Sequence, residues 1–416
     1  MAAVWIVGAY DNAYDNVLTG DAVMDQIRIG VIGCTGRGKM AKAWHRPEGR
    51  SVVVGAADVS DAALAWFKEN VNADGFVTKD HRALLERADI DAIVVTSPDH
   101  THEQYVCDAF DAGKHVFTEK PMAITTEGCD CMLRAWVSSG KKFMVGFNMR
   151  YMNIFRVLKD AVDSGMIGEV KVVWVRHFVG KGGDWYYHDW HANRENSTGL
   201  LLQKASHDID MIHWICGQYG TKVSGMGGLD YYGGDKPNDL RCPDCAEKDA
   251  CVEYQYDDRP GSNKRDLCVF RKEVDVEDNS TLMMELDGGI KATYMQCHFA
   301  ATYCRNYLFI GTEGQLECYS DGKRVNIRMR DRSKRWKNLA RYDIPVKAAE
   351  GGHGGADPLV NRDFVDMLVT DKRPVSTPLA GRMSVAVGVC ATESIRNAWQ
   401  VVQVPPVPED IREQVF

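Results

Sequence analysis

The first half of the chain alternates short, β-branched apolar runs with stretches of helical periodicity. Residues 27–32 (IRIGVI) have the length of a buried strand, and a second apolar run, SVVVGAADVS, carries a strand from Ser51 to Asp58. A third strand is predicted over residues 90–96, then a turn at Ser97-Pro98, a helix from about His102 to Ala112 and a strand over His115–Thr118. Strands and helices alternating at these lengths build a parallel, doubly wound sheet. From residue 149 the pattern changes. A helix over YMNIFRVLKDAVDSG closes at Gly165 and leads into a long strand, VKVVWVRHFVG. Further strands are predicted near 222–231, 279–287, 289–299, 305–311 and 314–319, on tight turns such as Asp287-Gly288-Gly289. That arrangement indicates a mostly antiparallel sheet. The fold class is α/β: a doubly wound domain over residues 27–148 and an α+β domain with an open, mostly antiparallel sheet over 149–400. A leading segment 1–26 and a tail 401–416 flank them.

Composition narrows the function. At 416 residues the chain exceeds the ~250 at which single cores usually stop growing, in keeping with two domains. The formal net charge of −8, without a long basic run, argues against nucleic acid or an anionic membrane and for a small-molecule partner. Thirteen cysteines, scattered except for one cluster, suit a reducing cytosol, so a cytoplasmic protein is expected. The start has neither a basic n-region nor a span of ~18 apolar residues, so no signal peptide or membrane helix is predicted. Residues 1–26 read as an extension, with Met24 available as an initiator.

The first apolar run breaks into Gly33, Gly36 and Gly38 before a helical pattern, the order a pyrophosphate site needs. Thr35 stands where the usual G-x-G-x-x-G spacing has its second glycine, and Arg37 lies within the turn. Asp58 ends the second strand about twenty residues on; a carboxylate there accepts both ribose hydroxyls of NAD and repels a 2′-phosphate, which favours NAD over NADP. Loops at the carboxyl ends of such strands face the cofactor, which assigns Ser97, Pro98, His100, His102, Glu119, Lys120 and Pro121 to that side.

Four stretches, the glycine turn at 33–38, SPDHTH at 97–102, AGKHVFTEKPM at 112–122 and SHDIDMIHW at 206–214, give the chain a resemblance to the Gfo/Idh/MocA oxidoreductases, the glucose-fructose oxidoreductase and inositol dehydrogenase family. The resemblance implies a Rossmann-type first domain. It also implies a lysine beside the nicotinamide, here Lys120, that binds the reacting oxygen, and a cis bond before Pro121. In the family one helix carries an Asp four residues ahead of the catalytic His; here the His is His207 and the Asp position holds Gln203. Gln cannot take a proton, so Lys204 is the expected second ionisable group. On a helix over 199–217, Gln203, His207, Asp210 and Trp214 share one face, and Asp210 is placed to orient His207. His207 suits a base because its ordinary pKa is near neutrality.

The segment GKGGDWYYHDWHANRENSTG, 180–199, combines ring faces and polar groups of the kind that match a sugar. Trp185, Tyr186, His188, Asp189, Trp190 and Arg194 are candidate sugar contacts, or packing anchors of the loop. His353, in GGHGGAD, is a further candidate over the pocket. The function expected is hydride transfer from a secondary hydroxyl of a sugar, glycoside or cyclitol to NAD. The alternatives are a redox-neutral enzyme that cleaves a glycoside through a keto intermediate with NAD retained, and an NAD-binding sensor without turnover. Family resemblance also points to a homo-oligomer.

One motif stands apart. RCPDCAEKDAC sets Cys242, Cys245 and Cys251 in a C-x2-C-x5-C spacing, with Cys268 as fourth thiol, in a polar insert over about 233–277. Four thiolates suit a structural zinc or an iron–sulfur cluster, and the spacing does not choose between them.

Overall fold

A computed structural model of the chain describes residues 26–180, 182–256, 265–330, 341–370 and 372–415. The leading segment up to residue 25, with Met24, and residues 257–264 of the insert lie outside the described residues.

Six parallel strands form the first sheet: β1 (Ile27–Ile32), β2 (Ser51–Ala57), β3 (Phe76–Thr78), β4 (Ala92–Val95), β5 (His115–Thr118) and β6 (Phe143–Val145), in the order β3-β2-β1-β4-β5-β6. This is the doubly wound arrangement expected. From Ile29 to Ile32 β1 is apolar at every position because both its faces are covered there. Ile29 and Val31 join one core with Val360 and Phe364, while Ile32 joins the other. Val360 and Phe364 belong to the helix Gly352–Thr370, so a C-terminal segment closes one face of the N-terminal sheet.

The second sheet comprises β7 (Val170–Phe178), β8 (Gly220–Gly228), β9 (Asn279–Leu286), β10 (Lys291–Cys297), β11 (Cys304–Gly311), β12 (Gly314–Tyr319), β13 (Arg324–Met329), β14 (Arg341–Pro345) and β15 (Val402–Gln403). Its order is β14-β13-β12-β11-β7-β10-β9-β8-β15, antiparallel except where β10 runs parallel to β7. Burial alternates along β9 and β10: Leu282, Met284, Ala292 and Tyr294 face the core, while Met283 and Met295 are exposed on the open face beside Trp174. The helix Pro378–Arg396 packs on the covered face. It starts with Pro378 behind Thr377, whose side chain accepts from the Ala380 N–H.

Three local features differ from the sequence reading. The tail beyond residue 400 joins the second sheet, since Val402 and Gln403 pair with β8. β13 and β14 extend the sheet beyond the strands expected; β14, with Arg341 and Asp343 in five residues, is its edge. The segment expected as one helix over 199–217 is two, Leu200–Gln203 and Ser206–Cys216. Lys204 and Ala205 both donate to the Leu200 carbonyl, at 2.9 and 3.2 Å, so the ladder slips by one residue between them.

Candidate active site

The carboxyl ends of β1, β2, β4 and β5 open onto a cavity of about 580 Å³ between the two sheets. A larger hollow, about 1080 Å³, lies beside residues 36–51 under surface arginines and lysines, away from His207 and Lys120. The smaller one gathers the chemistry.

At its floor is the glycine turn. Gly33 has a φ of +90°, and a Cβ there would come within 2.7 Å of the Ser97 nitrogen; a Cβ on Gly38 would come within 2.0 Å of the Gly33 carbonyl oxygen. Only glycine fits either place. Asp58, at the end of β2, accepts the Cys34 N–H at 2.7 Å on one oxygen and the Ser60 N–H at 2.9 Å on the other. Each carboxylate oxygen keeps a lone pair for a ribose hydroxyl. The close-approach turn, the fixed carboxylate and the cavity between them fit a dinucleotide.

Arg37 ties this floor to its surroundings. It donates to Glu119 at 2.8 Å and to Asp357 at 3.1 Å, and Asp357 also meets His353 at 2.9 Å. Burial would raise the Asp357 carboxyl, but His353 and Arg37 hold it down at about 2. His102 is buried and sets one ring nitrogen 2.9 Å from the Ser97 carbonyl and the other 2.8 Å from that of Pro121, so it positions the loop. The Lys120-Pro121 bond is cis.

Lys120 Nζ donates to the Gln203 carbonyl oxygen at 3.0 Å. Burial pushes its ammonium below the ordinary lysine range, against Tyr186 and Asp99, which act the other way. His207, partly buried, is held well below its ordinary value by desolvation and then by Lys120 and Arg305, so the ring is neutral at neutral pH. Its Nδ1, the Gln203 Oε1 and the Asp99 Oδ2 are buried without a hydrogen-bond partner, and all three residues line the cavity. Orphaned polar atoms in a cavity mark where a ligand's hydroxyls belong. Lys204 donates to the Tyr186 hydroxyl at 2.8 Å. Burial would raise that phenol, yet Lys204 and Lys120 outweigh it and hold it below its ordinary value.

The candidates divide clearly. Gly33, Thr35, Gly36, Arg37, Asp58, Ser97, Pro98, His102, Glu119 and Lys120 border the cavity, as do Tyr186, Trp190, Gln203, Lys204, His207 and His353. Gly38 shapes the turn from behind, and His100 is exposed, edge-on to Trp190. Trp185 is 47% exposed and outside the cavity lining. His188 faces the Leu267 carbonyl at 2.6 Å, Asp189 pairs with His191 and Arg265, and Arg194 pairs with Glu277; all three serve the loop. Asp210 accepts two hydrogen bonds from Arg150 and does not meet His207. The segment SPDHTH contains Asp99, which sequence reasoning passed over; burial, partly offset by Lys120, pushes its carboxyl up to about 8. Asn148, Arg265 and Arg305 line the cavity from distant parts of the chain. Among the described residues no three His, Cys, Asp or Glu side chains stand in an arrangement that holds a metal ion, so the cysteine cluster is not a finished coordination shell.

These features define an NAD-binding oxidoreductase. The oxidoreductase family with an NAD-binding Rossmann fold matches residues 27–147, and the C-terminal α/β domain of the same family matches residues 159–404. The chain belongs to the Gfo/Idh/MocA family. It is 30% identical over 338 residues to YteT of Bacillus subtilis, which carries only a provisional oxidoreductase name; the match covers 72% of this chain and 78% of YteT. It is 33% identical over 201 residues to the inositol 2-dehydrogenase/D-chiro-inositol 3-dehydrogenase of Halalkalibacterium halodurans, over 48% of this chain and 55% of that one. In fold it is similar to the scyllo-inositol dehydrogenase from Lactobacillus casei, solved with NAD(H) and scyllo-inositol, at a TM-score of 0.68 and 22% identity, over 91% of this chain and 99% of that one.

Proposed function

We propose that this chain moves a hydride between NAD and a secondary hydroxyl carbon of a sugar, glycoside or cyclitol. The observation that carries this reading is the convergence on one cavity of Lys120 and a neutral His207 whose Nδ1 lacks a partner. The substrate hydroxyl would lie against both. His207 takes its proton as the carbon is oxidised, and Lys120 stabilises the charge developing on the oxygen. The dinucleotide, held by the glycine turn, Asp58, Ser97 and Glu119, supplies the hydride acceptor when bound. Gln203 and Asp99 offer hydrogen bonds to neighbouring hydroxyls. Trp190 and Tyr186 offer ring faces to the C–H surface of the ring. The inositol dehydrogenases among the relatives support a polyol substrate.

The test is a panel of inositols, pyranoses and glucosides with NAD, followed through NADH absorbance. Accumulation of NADH with one class supports the reading. Release of an aglycone without NADH would replace it with the glycoside-cleaving alternative, and tight NAD binding without any turnover would favour a sensor.

A further inference from the structure

The insert between β8 and β9 has little structure of its own. Its described residues carry a single-turn helix at Cys242–Asp244 and two isolated bridges, Lys236 with Arg271 and Arg241 with Leu267. A segment so poor in secondary structure needs another constraint to hold one shape. Cys242, Cys245, Cys251 and Cys268 all border one void of about 20 Å³. Such a volume suits one atom-sized guest, and Lys248 and Glu253 border it as well.

The backbone around these thiols is arranged in a repeated way. The Glu247 N–H donates to the Cys245 sulfur at 3.4 Å. The N–H groups of Glu253 and Phe270 act likewise on Cys251 and Cys268, so three sulfurs each meet the amide two residues further on. Amides aimed at sulfur suit the outer shell of a thiolate ligand, although Cys297, outside the cluster, has the same contact with the Phe299 amide. The sulfurs do not yet form a finished shell among the described residues. Each swings about a single χ1 torsion between staggered wells, so the backbone frame is the lasting feature.

The clasp also bears on the candidate active site. Arg271, fully buried in the insert, donates to the carbonyl oxygens of Tyr187, Cys268 and Asp189. Arg265 pairs with Asp189 at 2.8 Å and lines the cavity. Val269, Val274 and Val276 share a small core with Tyr187 and Ala192. The insert is thereby fastened to the loop that carries Tyr186 and Trp190.

We propose that Cys242, Cys245, Cys251 and Cys268 bind a single zinc-type divalent ion, which fixes the insert and so holds Arg265 and the 184–192 loop at the rim of the cavity. Binding is independent of the proposed reaction; only the effect on the rim rests on it. The full chain, purified without chelator, should contain one zinc per chain by elemental analysis, and Cys251→Ser and Cys268→Ser should lose it. Cys131→Ser, at an exposed thiol outside the cluster, should keep it. In the variants that fold, NAD affinity should be unchanged and the KM for the polyol severalfold higher. Where a variant does not fold, the wild-type stoichiometry decides: protein without bound metal that also fails to retain added zinc ions overturns the proposal. Iron with acid-labile sulfide, or zinc retained equally by the serine variants, would also overturn it.

Discussion

Asp210 accepts hydrogen bonds from Arg150 on both carboxylate oxygens, at 2.9 and 2.7 Å, with both side chains buried. The pair anchors the helix Ser206–Cys216, and with it His207, to the turn Asn148–Tyr151. Asp210→Asn leaves a buried guanidinium without its counter-charge, a loss of about 3–5 kcal/mol. Urea unfolding should show that loss, while the ionisation of His207 in the folded variant stays where it was. A stable Asp210→Asn with a displaced His207 ionisation would mean that Asp210 orients the ring after all.

The pH profile of the proposed hydroxyl oxidation follows from the partly buried His207. His207 is depressed by desolvation and by Lys120, and the protonated ring cannot accept the hydroxyl proton. The acid limb of kcat/KM should therefore fall clearly below the ordinary histidine value of about 6.5. A limb at or above that value would show His207 to be solvated or not the base.

Lys204 and Tyr186 make a second, spectroscopic prediction. With two ammonium groups near it, the Tyr186 phenol should ionise below the ordinary tyrosine value as pH rises. Ultraviolet difference titration of wild type should show one tyrosinate forming below the ordinary value of about 10. Lys204→Met should move that step upward; an unchanged step would assign it to another tyrosine.

Buried histidines set the acid side of stability. His213 accepts the Gly220 N–H on Nε2 at 3.1 Å, and burial followed by Arg150 pushes it down to about 3. Its folded value lies below its unfolded one, so the unfolded chain binds the extra proton between about 6.5 and 3. Its contribution is complete above about 6.5 and is lost as pH falls through that window. The slope is on the order of 1 kcal/mol per pH unit for one such group. Urea midpoints at pH 5, 6 and 7 should fall with acid, and less steeply in His213→Gln if the substitution folds; equal slopes would assign the effect to His177 or others.

Much of this architecture was legible. The apolar runs of β1, β2, β4 and β5 and the glycine turn follow from short-range pattern, and Lys120 follows from its place at a strand end. Burial at the cavity was not legible in the same way. Asp99 lies within a stretch that the sequence singles out, but only its burial, which Lys120 and Gln203 partly offset, makes its carboxyl unusual. Asp210 was misassigned for the same reason: periodicity put it beside His207, whereas its partner Arg150 stands sixty residues upstream. The slip at Lys204-Ala205 depends on a shared carbonyl that no residue spacing reveals. Trp185 and Trp190 are alike in composition, and only the chain path turns one to solvent and the other to the cavity.

The most direct measurement is the single-turnover rate of NAD reduction in Lys120→Met and His207→Asn, alongside NAD affinity. Loss of one general acid–base group costs roughly 10²–10⁴-fold. Both variants should bind NAD as wild type does and transfer hydride slower by about that factor. Transfer at the wild-type rate in either, with substrate saturating, would contradict the roles given to these two residues, the proton to His207 and the oxygen charge to Lys120.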